Sequence, residues 1–149
     1  MRKLLFFACL GFLLVVAGCQ YDVVLSPELK ALKPKRVYVE SFTARNNQIG
    51  DVLRDVVTKE FLRKRVVLCS KESATLFVSG AAFFTDRAVG AAGLFGSSTH
   101  SSEAIESFSL VVKDIEGNTV ALASYDNVNR YGAVRLGREV GAILAIHLR

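Results

Sequence analysis

The sequence predicts an α+β domain, a two-layer sandwich of one mostly antiparallel sheet, about four to five strands wide, with two helices on one face, in the order β-α-β-β-β-β-α. Three observations lead there. Several short runs alternate apolar and polar residues at period two, the mark of half-buried strands. Two longer stretches carry apolar residues at steps of three and four, the mark of amphipathic helices. The tight turn Glu116-Gly117-Asn118 joins two of the alternating runs into a hairpin.

The chain opens with Arg2 and Lys3, continues through the apolar stretch from Leu4 to Ala17, and reaches Gly18 directly before Cys19. A charged start, an apolar core and small residues at its end form a secretory signal, here residues 1–18. The apolar run is shorter than the roughly 20 residues of a spanning helix, and no second long one follows. Val16-Ala17-Gly18-Cys19 resembles the lipobox of bacterial lipoprotein precursors. That resemblance implies cleavage before Cys19, acylation of its thiol, and attachment to a membrane without spanning it. Each buried methylene of the acyl chains would contribute about 0.8 kcal/mol. Gln20 after the cysteine, in place of Asp, implies the inner leaflet of the outer membrane.

Residues 19–35 hold both prolines, Pro27 and Pro34, lack periodicity, and are expected to be a lipidated N-terminus and tether. The folded domain is expected over 36–149. Arg36 to Phe42 alternates around Val37 and Val39 as the first strand. Ile49, Val52, Leu53, Val56, Val57 and Phe61 then form one helical stripe, with Asp51 and Asp55 early and Arg63, Lys64 and Arg65 late, as the helix dipole favours. This predicts a helix from about Gly50 to Lys64, with Val56 and Phe61 on its buried side. Strand patterns follow at Val66 to Cys69, Thr75 to Phe84, Ser107 to Asp114 and Thr119 to Tyr125. In the second of these, Leu76, Val78, Gly80 and Ala82 share one face. Leu136, Val140, Ile143, Leu144 and Leu148 mark a closing helix. The connection from Thr85 to Ile105 is too long for a simple hairpin loop.

Composition narrows the function. Without Arg2 and Lys3 the 19 basic residues become 17, against 14 acidic ones, so the processed chain carries a net charge of +3, too small an excess to indicate nucleic acid. Of the 3 cysteines, Cys9 leaves with the signal and Cys19 is acylated, so no internal disulfide can form. Cys69, in the run Val66-Val67-Leu68-Cys69, is expected to be a small buried core residue. The chain's 2 histidines, His100 and His147, lie far apart with no neighbouring ligand at helical or turn spacing. Neither a nucleophile with its base nor a metal cluster emerges, which argues against an enzyme and implies no metal and no cofactor.

Gly90, Gly93 and Gly96 recur at steps of three, but no Lys-Ser/Thr follows the last one and the preceding strand does not end there, which argues against a phosphate loop. Two readings stay open for this segment: a plain strand connection, or an apolar hairpin that meets a membrane or another subunit with Leu94 and Phe95 as anchors.

Val37-Tyr38-Val39-Glu40-Ser41-Phe42 before a helix, Ala74-Thr75-Leu76-Phe77-Val78-Ser79-Gly80, and Phe108 to Asn118 with its Asp114 and Gly117 together resemble the curli-secretion-channel family of small envelope lipoproteins. The pattern is also similar to the lipopolysaccharide-assembly lipoprotein and to lipoprotein activators of peptidoglycan synthases. Thr75 departs from the family's usual aspartate, and the chain is too short for the extra membrane-crossing hairpins of the channel. The resemblance implies a non-catalytic outer-membrane lipoprotein on the periplasmic side, acting as an assembly, transport or accessory factor that binds another envelope protein. The expected contacts are Leu94, Phe95 and the free edge of the sheet. The alternative is a lipid- or lipopolysaccharide-binding protein whose Arg63, Lys64 and Arg65 hold lipid phosphates near the membrane.

Overall fold

A computed structural model describes residues 21–149 except 94 and 95, and for 86–103 it describes the backbone alone. Five strands, β1 (Tyr21–Leu25), β2 (Val37–Val39), β3 (Leu76–Gly93), β4 (Gly96–Asp114) and β5 (Thr119–Asp126), form one sheet in the order β1-β5-β4-β3-β2. All neighbours are antiparallel except β2 and β3, which run parallel. A parallel pair requires a crossover, and the helix α2 (Asn47–Arg63) supplies it. The short helix α1 (Pro27–Ala31) precedes β2, and α3 (Ala133–Leu148) closes the chain. The α+β sandwich expected from the sequence is the fold observed.

The core lies between one face of the sheet and the two long helices. Leu76, Val78 and Ala82 of β3 join Phe108, Leu110 and Val112 of β4 and Ala123 and Tyr125 of β5. Leu53, Val57 and Phe61 of α2 and Leu136, Val140, Leu144 and Leu148 of α3 pack on them. Period-two and helical stripes on the sequence therefore become the two halves of one interior. Val56 is only half-buried, at the rim of the stripe, while Phe61 is fully enclosed. Among the described residues no long helix covers the other face of the sheet; Val24 and Phe83 stand exposed on it, 57% and 59% respectively.

The two long helices run in the same direction. Leu53 and Val56 of α2 lie against Gly137 of α3, and Val57 and Glu60 against Gly141, one turn further along each helix. A Cβ at Gly137 would stand 3.2 Å from the Val56 side chain, so the glycine is what lets the axes approach. Glu60, 4% exposed, accepts from Arg63 at 2.6 Å and faces Arg138 of α3 at 3.8 Å, which ties the helices together across their seam.

Three expectations are corrected. Residues 21–31, read as tether, are an edge strand and a helix, with Leu29 buried in the core. β1 is held by pairing with β5 about a hundred residues away, which local periodicity cannot reveal. The expected strand Val66 to Cys69 contributes only one isolated parallel bridge, Leu68 to Val37, made by the bonds from the Val37 N–H to the Val67 carbonyl and from the Cys69 N–H to the Val37 carbonyl. The long connection after Thr85 is not a loop: β3 and β4 stay paired from Phe84↔Ile105 out to Gly93↔Gly96, forming a ribbon beyond the sheet.

Candidate interaction site

The site is built where this ribbon leaves the sheet. The pairing shifts between Phe83↔Ser107 and Phe84↔Ile105, so Glu106 is an extra residue on β4, a bulge that twists and redirects the strands. Asn127, directly after β5 and 6% exposed, clamps the bulge. Its backbone N–H donates to the Glu106 carbonyl at 2.7 Å, and its carboxamide donates to the Ile105 carbonyl at 2.7 Å and the Tyr131 carbonyl at 2.8 Å. Its Oδ1 accepts from the Tyr131 N–H at 2.6 Å. An asparagine is suited to this because one side chain offers both donors and an acceptor. A cleft of about 730 Å³ opens beside the clamp, lined among others by Phe83, Thr85, Glu106, Asp126 and Arg130.

Aromatic packing fixes the neighbouring ground. Tyr125 lies between Tyr21, at 4.8 Å between ring centroids, and Tyr131, at 6.1 Å and nearly parallel. The Arg135 guanidinium sits 3.7 Å above the Tyr131 ring. The Tyr21 hydroxyl donates to Glu139 Oε2 at 3.3 Å. Burial, and then the Glu139 charge, push the Tyr21 phenol above its ordinary pKa, so it remains a donor at neutral pH.

The register decides which of the sequence-predicted residues meet. Tyr21, Tyr125, Phe108 and Ala82 form one row across the sheet, and the ribbon begins just past it. Cys19 lies outside the described residues, but Tyr21, two positions later, enters the fold at this ribbon end. Both long helices begin at the same end. Leu94 and Phe95 also lie outside the described residues; their neighbours Gly93 and Gly96 pair at the far tip of the ribbon.

Arg63, Lys64 and Arg65 are at the opposite end of the domain, where α2 terminates and the chain returns to Val37. There the Val66 N–H donates to the Phe61 carbonyl at 2.9 Å and the Arg65 N–H to the Leu62 carbonyl at 3.0 Å, the two bonds of a Schellman cap. Arg65 takes the left-handed position of that cap, φ 63°, where glycine is favoured. The structure therefore brings the chain entry and the ribbon together and separates both from the basic triad.

Two other residues differ from expectation or explain it. Cys69 is half-buried and not in the core; its Sγ lies 3.6 Å from the Val37 carbonyl, in a groove with Arg54, Asp55 and Thr58. Thr75 acts as a latch: its Oγ1 donates to the Pro34 carbonyl at 2.9 Å and accepts from the Arg36 N–H at 2.9 Å. Among the described residues no helix is long and apolar enough to cross a membrane.

The fold resembles that of PelC from Paraburkholderia phytofirmans. Two crystal structures of it, both described as dodecamers, match over 86% of this chain and 95% of that one, with a TM-score of 0.51 and 15% and 13% identity. A PDZ domain protein from Parabacteroides distasonis matches with a TM-score of 0.57 at 10% identity, over 86% of this chain and 35% of that one. At such identities the likeness shows the fold alone. No family model and no curated protein matches the sequence.

Proposed function

We propose that this chain is a lipid-anchored lipoprotein of the outer membrane, facing the periplasm, and a non-catalytic assembly, transport or accessory factor that binds another envelope component through its ribbon. The observation that carries the reading is the shared end: the start of β1, two residues after Cys19, and the root of the ribbon lie at the same end of the sheet, with β5 between them. A domain attached through Cys19 would hold the ribbon on its membrane-proximal side. At about 3.3 Å per residue, residues 84–93 extend roughly 30 Å from the sheet, enough to reach the bilayer surface or a partner embedded in it. The described dodecamers of PelC support a multi-subunit setting for this fold, in which the partner is a further copy or a neighbouring envelope protein.

The test combines two readouts on the full chain. Wild type incorporates a palmitate analogue and fractionates with membranes, and Cys19→Ala does neither; undiminished incorporation in the mutant sinks the anchored reading. Photo-crosslinkers at positions 91 and 98 of the ribbon then give adducts with a protein partner in the anchored form, and an absence of adducts sinks the ribbon's role. The alternative, a lipid- or lipopolysaccharide-binding protein, draws its support from the cleft beside Asn127, which is large enough for part of a small ligand. Adducts made only with lipid would favour it.

A further inference from the structure

The end of the domain opposite the ribbon carries an unusual concentration of charge. Because α2 and α3 run in parallel, both C-termini finish there, together with the entry to β2 and the turn Lys71–Ser73. Lys33, Arg36, Lys64, Arg65 and Lys71 are all exposed at this end, and among the described residues none forms an ion pair within 4.0 Å, although the Lys71 charge acts on its neighbour Glu72. They come from separate parts of the chain, drawn together by the bonds from the Val37 N–H to the Val67 carbonyl and from the Leu76 N–H to the Arg36 carbonyl. Helix C-termini attract cations, and that accounts for Arg63 and Lys64. It does not account for Arg65, which stands outside the helix in a left-handed conformation that an L side chain adopts at a cost and glycine adopts freely.

The same segment exposes large apolar side chains. Leu62 and Val67, 60% and 58% exposed, flank the three cations, while Phe61 and Val66 between them are buried and anchor the segment to the core. Two exposed apolar residues beside an arginine whose backbone is fixed by the cap suit a protein contact, since arginine is enriched at interfaces and their buried centres are more apolar than their rims. We propose that residues 62–67, with Arg36 and Lys71 beside them, are a second docking surface for an acidic protein segment, one whose carboxylates meet the cations and whose apolar side chains cover Leu62 and Val67. Its direction, away from the anchoring membrane, rests on the function proposed above; the recognition chemistry does not.

The experiment places a photo-crosslinking residue at position 67 of the full chain in its own bacterium and identifies the adducted peptide by mass spectrometry. The expected result is one protein adduct on a segment rich in Asp and Glu. Arg65→Gly, in a second copy of the design, lowers its yield by about threefold to fivefold while the thermal midpoint stays level or rises. Lys64→Ala lowers the yield similarly, and Arg54→Ala at a distance does not. The proposal is overturned by no adduct, by adducts with lipid or with a peptide poor in carboxylates, or by full yield in both Arg65→Gly and Lys64→Ala. Palmitate incorporation, followed in the same cells, separates the two ideas. A labelled chain without the adduct sinks only this surface, and an unlabelled chain that retains it sinks only the anchor.

Discussion

At the scale of single residues, Asn127 and Arg65 show how a side chain's meaning depends on what the chain brings to it. Asn127 joins three stretches of backbone: the bulge at Ile105 and Glu106, the end of β5, and the turn at Tyr131. Asn127→Ala leaves the Ile105 and Tyr131 groups without their partner in a poorly solvated place. The expected loss is about 1–3 kcal/mol in denaturant unfolding, with the slope unchanged. Wild-type stability in that variant would mean that water replaces the carboxamide without cost. In the sequence Asp126-Asn127-Val128-Asn129 reads only as a turn, because nothing in its spacing announces a partner 22 residues upstream. Arg63, Lys64 and Arg65 were legible as a basic cluster at a helix end, but their position relative to Cys19 depends on the sheet register, which no local pattern encodes.

At the scale of elements, legibility followed the length of the repeat. The α2 stripe and the alternation of Leu76, Val78, Gly80 and Ala82 appear as expected, each repeating its period several times, and the hairpin around Gly117 appears where its turn residues placed it. β1 has five residues beside a proline-containing stretch, too few repeats to stand out, and it is a strand only because β5 offers an edge. The start of α2 was placed late because Asn46, whose side chain accepts from the Gln48 N–H at 2.8 Å, lies in a polar cluster that hides the cap. Inside that first turn Gly50 is a sharp test. Alanine there gains up to about 1 kcal/mol of helix propensity, yet its Cβ would stand 2.6 Å from the Phe42 carbonyl oxygen. Gly50→Ala should therefore destabilise, by about 1–3 kcal/mol in thermal unfolding, because backbone must move to admit the methyl group. A rise in the midpoint would show that α2 packs less tightly on the β2–α2 connection than described.

For the whole molecule, the described core reaches Ile105 and the half-buried Phe84, the first pair of the ribbon, and the rest of the ribbon extends past it. Replacing residues 86–103 by a two-residue Asn-Gly turn should leave the thermal midpoint within about 5 °C of wild type while abolishing partner adducts from this end. A collapse in stability would mean that the ribbon folds back as part of the interior. The sequence marked the glycine-rich segment as exceptional without revealing that it is paired, since alanine, glycine and serine carry weak strand propensity and their pairing is dictated by the strands that lead into them. The sheet order has one more consequence, in time and not in space. Among the described residues β1 is the first strand and its one neighbour, β5, is the last, so the sheet stays open along one edge until almost the whole polypeptide is available. During that interval β1 has no strand of the sheet to pair with, and its amides and carbonyls are open to any other strand it meets. The N-terminal segment is thus a latch that closes last, and a chain emerging N-terminus first must wait with β1 unpartnered until its final quarter arrives.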